Sequence, residues 1–235
     1  MTRFLTAVAT LSVLFVSGSA FADKIGVAAV VTNSVQGSSP PRALGVGNDV
    51  FSTEKIRTGE SSAAQLLFLD STSVSLAARS ELTLDRFVYD PGRGVGNVVV
   101  TTGKGAFRFV TGSQNPTNYS IKTPVATIGV RGTIVDVHNG VYGGVNVTVV
   151  TLIEGKVLIR PQNVTLDQPG TSYVIKSDGT VQGPLKGNGQ VATFLKDPKL
   201  FELPDNRLDL IDVLGSPTGP TGGSRNCNLR FAANC

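Results

Sequence analysis

The stretch Ala63-Ala64-Gln65-Leu66-Leu67-Phe68-Leu69-Asp70-Ser71-Thr72-Ser73-Val74-Ser75-Leu76 decides the fold class. Ala63, Leu66 and Phe68, with Leu67 and Leu69 between them, make one short apolar run. Asp70-Ser71-Thr72 supplies turn chemistry, because Asp and Ser side chains bond the backbone locally. Val74 and Leu76 then alternate with serines on the return, as in a half-buried strand. This is a hairpin, and Leu82, Leu84 and Phe87 extend it.

The same rhythm runs outward from residue 25 to about 181. Residues 98–100, 106–110, 134–137, 145–153 and 157–159 are short β-branched or aromatic runs separated by Gly, Asn, Asp, Ser or Pro. Helix-period patterning is absent from this span. Many of the 27 glycines fall singly between runs, for example Gly103, Gly105, Gly129, Gly132, Gly155 and Gly170, where a corner or a close backbone approach excludes a Cβ. The chain is therefore all-β. Loose recurrence of units of roughly twenty residues favours a solenoid-like stack of short strands, with a β-sandwich as the alternative.

The character changes after Val181. Gly183-Pro184 and Gly187-Asn188-Gly189 read as a break, and residues 191–214 carry enough apolar side chains for short C-terminal helices, the second opened by Pro204-Asp205-Asn206. Residues 215–223 are rich in Gly, Pro, Ser and Thr and are expected to be flexible. The expected organisation is a leader (1–22), a β domain (23–182), a helical appendage (183–214) and a tail (215–235).

At the other end, Arg3, an apolar run over 4–16 and the small-residue pattern Ala20-Phe21-Ala22 match a secretory signal peptide cut after Ala22. The apolar run is short for a bilayer span. The mature chain is expected in the periplasm or outside the cell, meeting a membrane only during export. In that oxidising setting Cys227 and Cys235 are expected to form a small terminal disulfide loop, with a free pair or metal ligation as the weaker readings. The net charge of +4 comes from few charges without a basic cluster, which argues against nucleic acid as a partner.

The most distinctive segment is Ile121-Lys122-Thr123-Pro124-Val125-Ala126-Thr127-Ile128-Gly129-Val130-Arg131-Gly132-Thr133, followed by an apolar strand over 149–153 and Glu154-Gly155-Lys156-Val157. Together these resemble the signature of the FecR domain, whose members carry a Thr-Pro pair, then Gly-Val-Arg-Gly-Thr, then a strand ending in Glu-Gly-x-Val. Gly47-Asn48-Asp49-Val50, Lys55-Ile56-Arg57-Thr58-Gly59 and Asp70-Ser71-Thr72-Ser73-Val74 resemble the family's opening pattern, so the resemblance spans about residues 45–180. Pro124 is expected to bias Thr123 to an extended conformation, and Gly129 and Gly132 to flank a turn at Arg131. The Arg131 guanidinium is expected to hold that corner by bridging carbonyls or pairing with Asp136 or Glu154, or else to face a partner's carboxylate. The resemblance implies an extracytoplasmic domain that binds another envelope protein. In the best-known members a transmembrane helix ties the domain to a cytosolic segment controlling a sigma factor, whereas here a cleavable leader stands in that place.

Catalytic chemistry is thinly provided. His138 is the one histidine, expected at a hairpin turn formed with Asn139-Gly140, and it lacks partners at triad or metal-ligand spacing. Gly92-Arg93-Gly94-Val95-Gly96 follows Asp90-Pro91 and leads into a strand, so it reads as a hairpin tip and not a phosphate loop. No enzyme activity, metal or cofactor is expected. The expected role is protein binding or signalling in the envelope, with a structural or cell-wall-glycan-binding surface module as the alternative.

Overall fold

The computed structural model describes residues 23–90, 95–187, 190, 191 and 195. Sixteen strands follow in chain order: β1 (Lys24–Thr32), β2 (Val35–Ser38), β3 (Pro41–Ala43), β4 (Asp49–Phe51), β5 (Lys55–Thr58), β6 (Ala63–Phe68), β7 (Ser73–Leu76) and β8 (Glu81–Asp90), then β9 (Val95–Thr102), β10 (Gly105–Val110), β11 (Tyr119–Lys122), β12 (Thr127–Tyr142), β13 (Val145–Arg160), β14 (Val164–Leu166), β15 (Thr171–Lys176) and β16 (Val181–Lys186). All join one hydrogen-bonded sheet. The pairing is antiparallel except between β9 and β11.

This arrangement confirms the all-β class and corrects the solenoid expectation. A solenoid stacks successive coils in parallel, whereas here neighbours pair antiparallel within a single curled sheet. The hairpin read from residues 63–76 is β6–β7, with Leu66 opposite Val74. Among the isolated glycines that suggested coil corners, Gly132 and Gly155 serve the β12–β13 bulges instead, and Gly129 lies in the regular ladder.

The sheet is organised by the hairpin β12–β13, whose strands have 16 residues each. Along it, Arg131 pairs with Lys156, Ile134 with Glu154 and Val135 with Leu152, so the register slips once in each direction. These are two compensating bulges. On one side of them β12 adds β11, then β9, β8, β5, β2 and β3, while β13 adds β14. On the other side β12 adds β10, then β7, β6, β1 and β4, while β13 adds β15 and β16. The two wings fold onto one core: Phe68 of one meets Phe87 of the other edge-on at 5.6 Å, and Phe109 meets Tyr119 at 6.0 Å.

Burial explains the sequence pattern. Ala64, Leu66 and Phe68 of β6 point inward while Leu67 faces out, as period-two alternation requires. The fully buried run Val147-Thr148-Val149-Val150 has another cause. Val150 joins the central core, but Val147 and Val149 face the opposite side, where Val174, Val191 and Leu195 bury them. Strand β16 continues through Gly183-Pro184 to Lys186, which corrects the break expected there. Gln190, Val191 and Leu195 are helical. Most of the expected appendage, the tail, both cysteines and the leader lie outside the described residues.

Buried polar groups pin the wings together. Asp70 is fully buried; its Oδ1 accepts from Thr72 N at 2.9 Å, and its Oδ2 accepts from Thr72 Oγ1 at 2.8 Å, Gln114 Nε2 at 2.8 Å and the Tyr119 hydroxyl at 3.1 Å. The turn of β6–β7 is thereby tied to the start of β11 in the other wing. Asp70→Asn keeps the volume but replaces the shared acceptor by a donor facing donors. It is expected to cost about 3 kcal/mol, read as a lower urea midpoint at unchanged slope.

Candidate functional site

The distinctive segment builds two local structures. The first is a tight turn at Thr123, whose Oγ1 accepts from Ala126 N at 3.0 Å and Val125 N at 3.3 Å and lies 3.0 Å from the Thr148 hydroxyl. Pro124 sits exposed on this turn. Beside it opens a shallow cleft of about 600 Å³, bounded by Thr123, Val125, Ala126 and Thr127 on one side and Arg160, Pro161 and Asn163 on the other. Arg160 is the only charged residue in that lining, so the cleft holds no acid–base pair.

The second structure is the bend itself. Gly132 (φ 58°) and Gly155 (φ 86°) occupy left-handed backbone conformations directly across from each other. A Cβ on Gly155 would stand 2.1 Å from the Gly132 carbonyl oxygen. Thr133, buried at the bulge, accepts from Arg131 N at 2.9 Å and donates to Lys156 O at 2.9 Å, while its own N–H donates to Thr111 Oγ1 at 2.9 Å. The bulge is therefore bonded through to both neighbouring strands. Gly129 differs: it lies opposite Leu158 in the regular ladder, and a Cβ there would find its nearest neighbour at 3.8 Å. The expectation that Gly129 flanks a turn is thus corrected, since Gly132 alone supplies the positive φ on β12.

Arg131 and Glu154 are both exposed at this bend. Asp136 is engaged by another partner: Arg108, opposite it on β10, forks onto its carboxylate with Nε–Oδ1 at 2.8 Å and Nη2–Oδ2 at 2.9 Å. The sequence reading missed Arg108 because cross-strand pairing depends on a register that only the folded sheet reveals. Ile153, the extra residue of the β13 bulge, is 41% exposed next to Glu154. The bend thus combines a rigid backbone with an exposed surface of two cations, Arg131 and Lys156, one anion, Glu154, and one apolar side chain, Ile153. Val130 of the same segment is buried in the core.

His138 is not at a turn. β12 runs on to Tyr142, and the hairpin closes at Gly143-Gly144, both at positive φ as a tight two-residue turn requires. His138 is buried mid-strand, opposite Val149, with Nε2 2.8 Å from the Tyr142 hydroxyl. The neighbouring Asn139 donates to Thr102 Oγ1 at 2.9 Å and Gly103 O at 2.6 Å and accepts from Thr148 Oγ1 at 2.7 Å. A second cavity of about 210 Å³ lies here, lined by Ala78, Arg79, Gly105, His138, Asn139, Gly140 and Tyr142. Among the described residues no three metal-ligating side chains converge, and no helix is long and apolar enough to cross a membrane.

These features define a class first: an all-β scaffold whose distinctive residues shape a backbone bend and the surface upon it. Residues 54–158 match the family model of the FecR protein, so the chain carries a FecR domain over that stretch, narrower than the span of the sequence resemblance. No curated protein matches the chain. Two crystal structures of a "putative anti-sigma factor" from Parabacteroides distasonis ATCC 8503, at 1.65 Å and 2.50 Å, are similar in part. Each aligns at 18% identity with a TM-score of 0.45 and covers 60% of this chain. The chain spans 64% and 63% of those proteins.

Two predictions follow from this geometry. Gly155→Ala adds both a strained φ and a collision with Gly132 O, and is expected to cost about 3 kcal/mol in chemical denaturation. Gly179→Ala has a similar φ of 87° but open space around it, and is expected to cost about 1 kcal/mol. Separately, burial lowers the His138 pKa from 6.5 to about 4. The unfolded chain therefore takes up this proton before the folded one does. Stability from this group is complete above 6.5 and falls as the pH drops toward about 4, by up to about 3 kcal/mol. His138→Gln is expected to remove that component of the acid dependence, measured as the difference between the two pH–stability curves.

Proposed function

We propose that this chain is an exported, non-enzymatic FecR-domain protein of the bacterial envelope that binds another envelope protein through the β12–β13 bend. The observation that carries the reading is the division of labour within the distinctive segment. Thr123, Gly132, Thr133 and Gly155 are used in holding the backbone, while Arg131 and Glu154 are exposed beside the exposed Ile153. A rigid, bonded-through bend presents these side chains at small ordering cost, which favours recognition. A central apolar contact ringed by charges is the usual composition of a protein-binding spot. Residues 1–22 act as the leader, removal after Ala22 releases a mature chain into the periplasm or the medium, and Cys227 and Cys235 close a terminal loop there.

The test begins with mass determination of the mature N-terminus from fractionated cells, with Asp23 as the expected first residue. Mild crosslinking in envelope extracts is then compared for the native chain, Arg131→Glu and Ile153→Asp. A specific protein adduct on the native chain that falls at least about tenfold in both variants supports the reading. An adduct unchanged by both variants, or sedimentation with purified cell wall in its place, overturns it.

A further inference from the structure

Sheet edges are templates for pairing and are ordinarily blunted by brevity, proline or charge. Four of the edges here follow that rule. β3 has three residues and begins with Pro41, β4 and β14 have three residues each, and β16 contains Pro184. The distal half of β8 carries charge only at its two ends, Arg86 and Asp90, and leaves Phe87, Val88 and Tyr89 between them. β8 pairs with β5 only over Glu81, Leu82 and Thr83, and the Leu84 backbone bonds Thr53 and Glu54. From Arg86 to Asp90 its ladder partner among the described residues is β9 alone. The segment Arg86-Phe87-Val88-Tyr89-Asp90 contains no proline or glycine, and Val88 is 43% exposed.

The register fixes which backbone groups face that edge. Glu81 bonds Gly103 and Lys104 on the β9 side, and by the two-residue period so does Thr83, opposite Thr101. Val99, two residues before Thr101, also faces β8, and across the bulge its partner is Arg86. The backbone groups of Arg86, Val88 and Asp90 therefore point to β9, and those of Phe87 and Tyr89 point to the open edge.

We propose that a second copy of this chain occupies this edge, by antiparallel β8–β8 pairing about a two-fold axis at Val88. The sequence is self-complementary about that residue. Phe87 falls opposite Tyr89 of the other copy in a hydrogen-bonded pair, so the outward-facing groups are the ones that bond. Arg86 falls opposite Asp90 of the other copy in a non-hydrogen-bonded pair, where side chains approach most closely. Val88 meets its own counterpart on the same face. The β12–β13 bend contributes no residue to this pairing, so this inference stands apart from what the bend binds.

Sedimentation velocity of the purified full chain over a concentration series is the test. The expected result is a reversible monomer–dimer equilibrium. Arg86→Asp places like charges opposite each other twice by symmetry and is expected to weaken it about tenfold or more. Combining it with Asp90→Arg restores opposite charges and is expected to restore the dimer. Tyr89→Pro removes an outward N–H while leaving the β9 ladder intact, and is expected to abolish it. A chain that stays monomeric throughout, or a dimer indifferent to Arg86→Asp, or an Arg86→Asp loss that Asp90→Arg fails to reverse while the fold is retained, overturns the proposal.

Discussion

A pair of 16-residue strands must bend sharply if both of its ends are to contribute to one core, and the contact between Gly132 and Gly155 is where it does so. The carbonyl of Gly132 occupies the space that a Cβ on Gly155 would take, and both backbones sit at positive φ. Any other residue at Gly155 sets a side chain against backbone, which cannot move aside without opening the ladder. The paired slips in register absorb the bend locally, so that the residues beyond it recover the same pairing. Every strand of each wing is hung, directly or through neighbours, on one half of this hairpin.

A fold hinged in this way needs cross-links between its wings that apolar packing alone does not specify. Asp70 supplies one through Tyr119 and Gln114. Burial raises the pKa of the Tyr119 phenol and keeps it protonated as a donor. Glu54, buried without exposure, supplies another at the opposite end, where Arg42 contacts its carboxylate at 2.5 Å and also bonds the Asp49 carbonyl. Arg42 lies 5.3 Å over the Phe51 ring. A buried ion pair of this kind adds little net stability against its desolvation, but losing one partner leaves a charge stranded.

The strands were legible in the sequence because their apolar alternation reflects one buried face, as in residues 63–76. Three features were not. The run over 147–150 reads as an ordinary buried strand, yet it is buried on both faces because Val191 and Leu195 cover the outer one. Single glycines carry one signal for several geometries: Gly132 and Gly155 make a bulge, Gly143 and Gly144 a hairpin turn, and Gly129 neither. Repetition of such glycines suggested coils, when spacing alone holds no record of strand direction. Asn139-Gly140 likewise has turn composition, but Asn139 is held in β12 by buried bonds to Thr102, Gly103 and Thr148. Tertiary hydrogen bonding overrides local preference there.

The candidate site was legible as a motif but not as a shape, and the difference bears on function. A motif read as a string treats Thr123, Gly132, Arg131 and Glu154 alike. In the folded chain Thr123, Gly132, Thr133 and Gly155 fix a backbone geometry, and Arg131 and Glu154 are the side chains that geometry delivers to solvent. A site that placed its distinctive residues around a reacting atom would turn them inward onto a shared cavity. Here Thr123, Val125, Ala126 and Thr127 of the segment do border the larger cleft, but its one charged lining residue, Arg160, comes from elsewhere, and the bend turns its charges outward. That orientation is what the recognition role proposed above would require, and the bonded backbone of the bend is what would hold the surface in one shape.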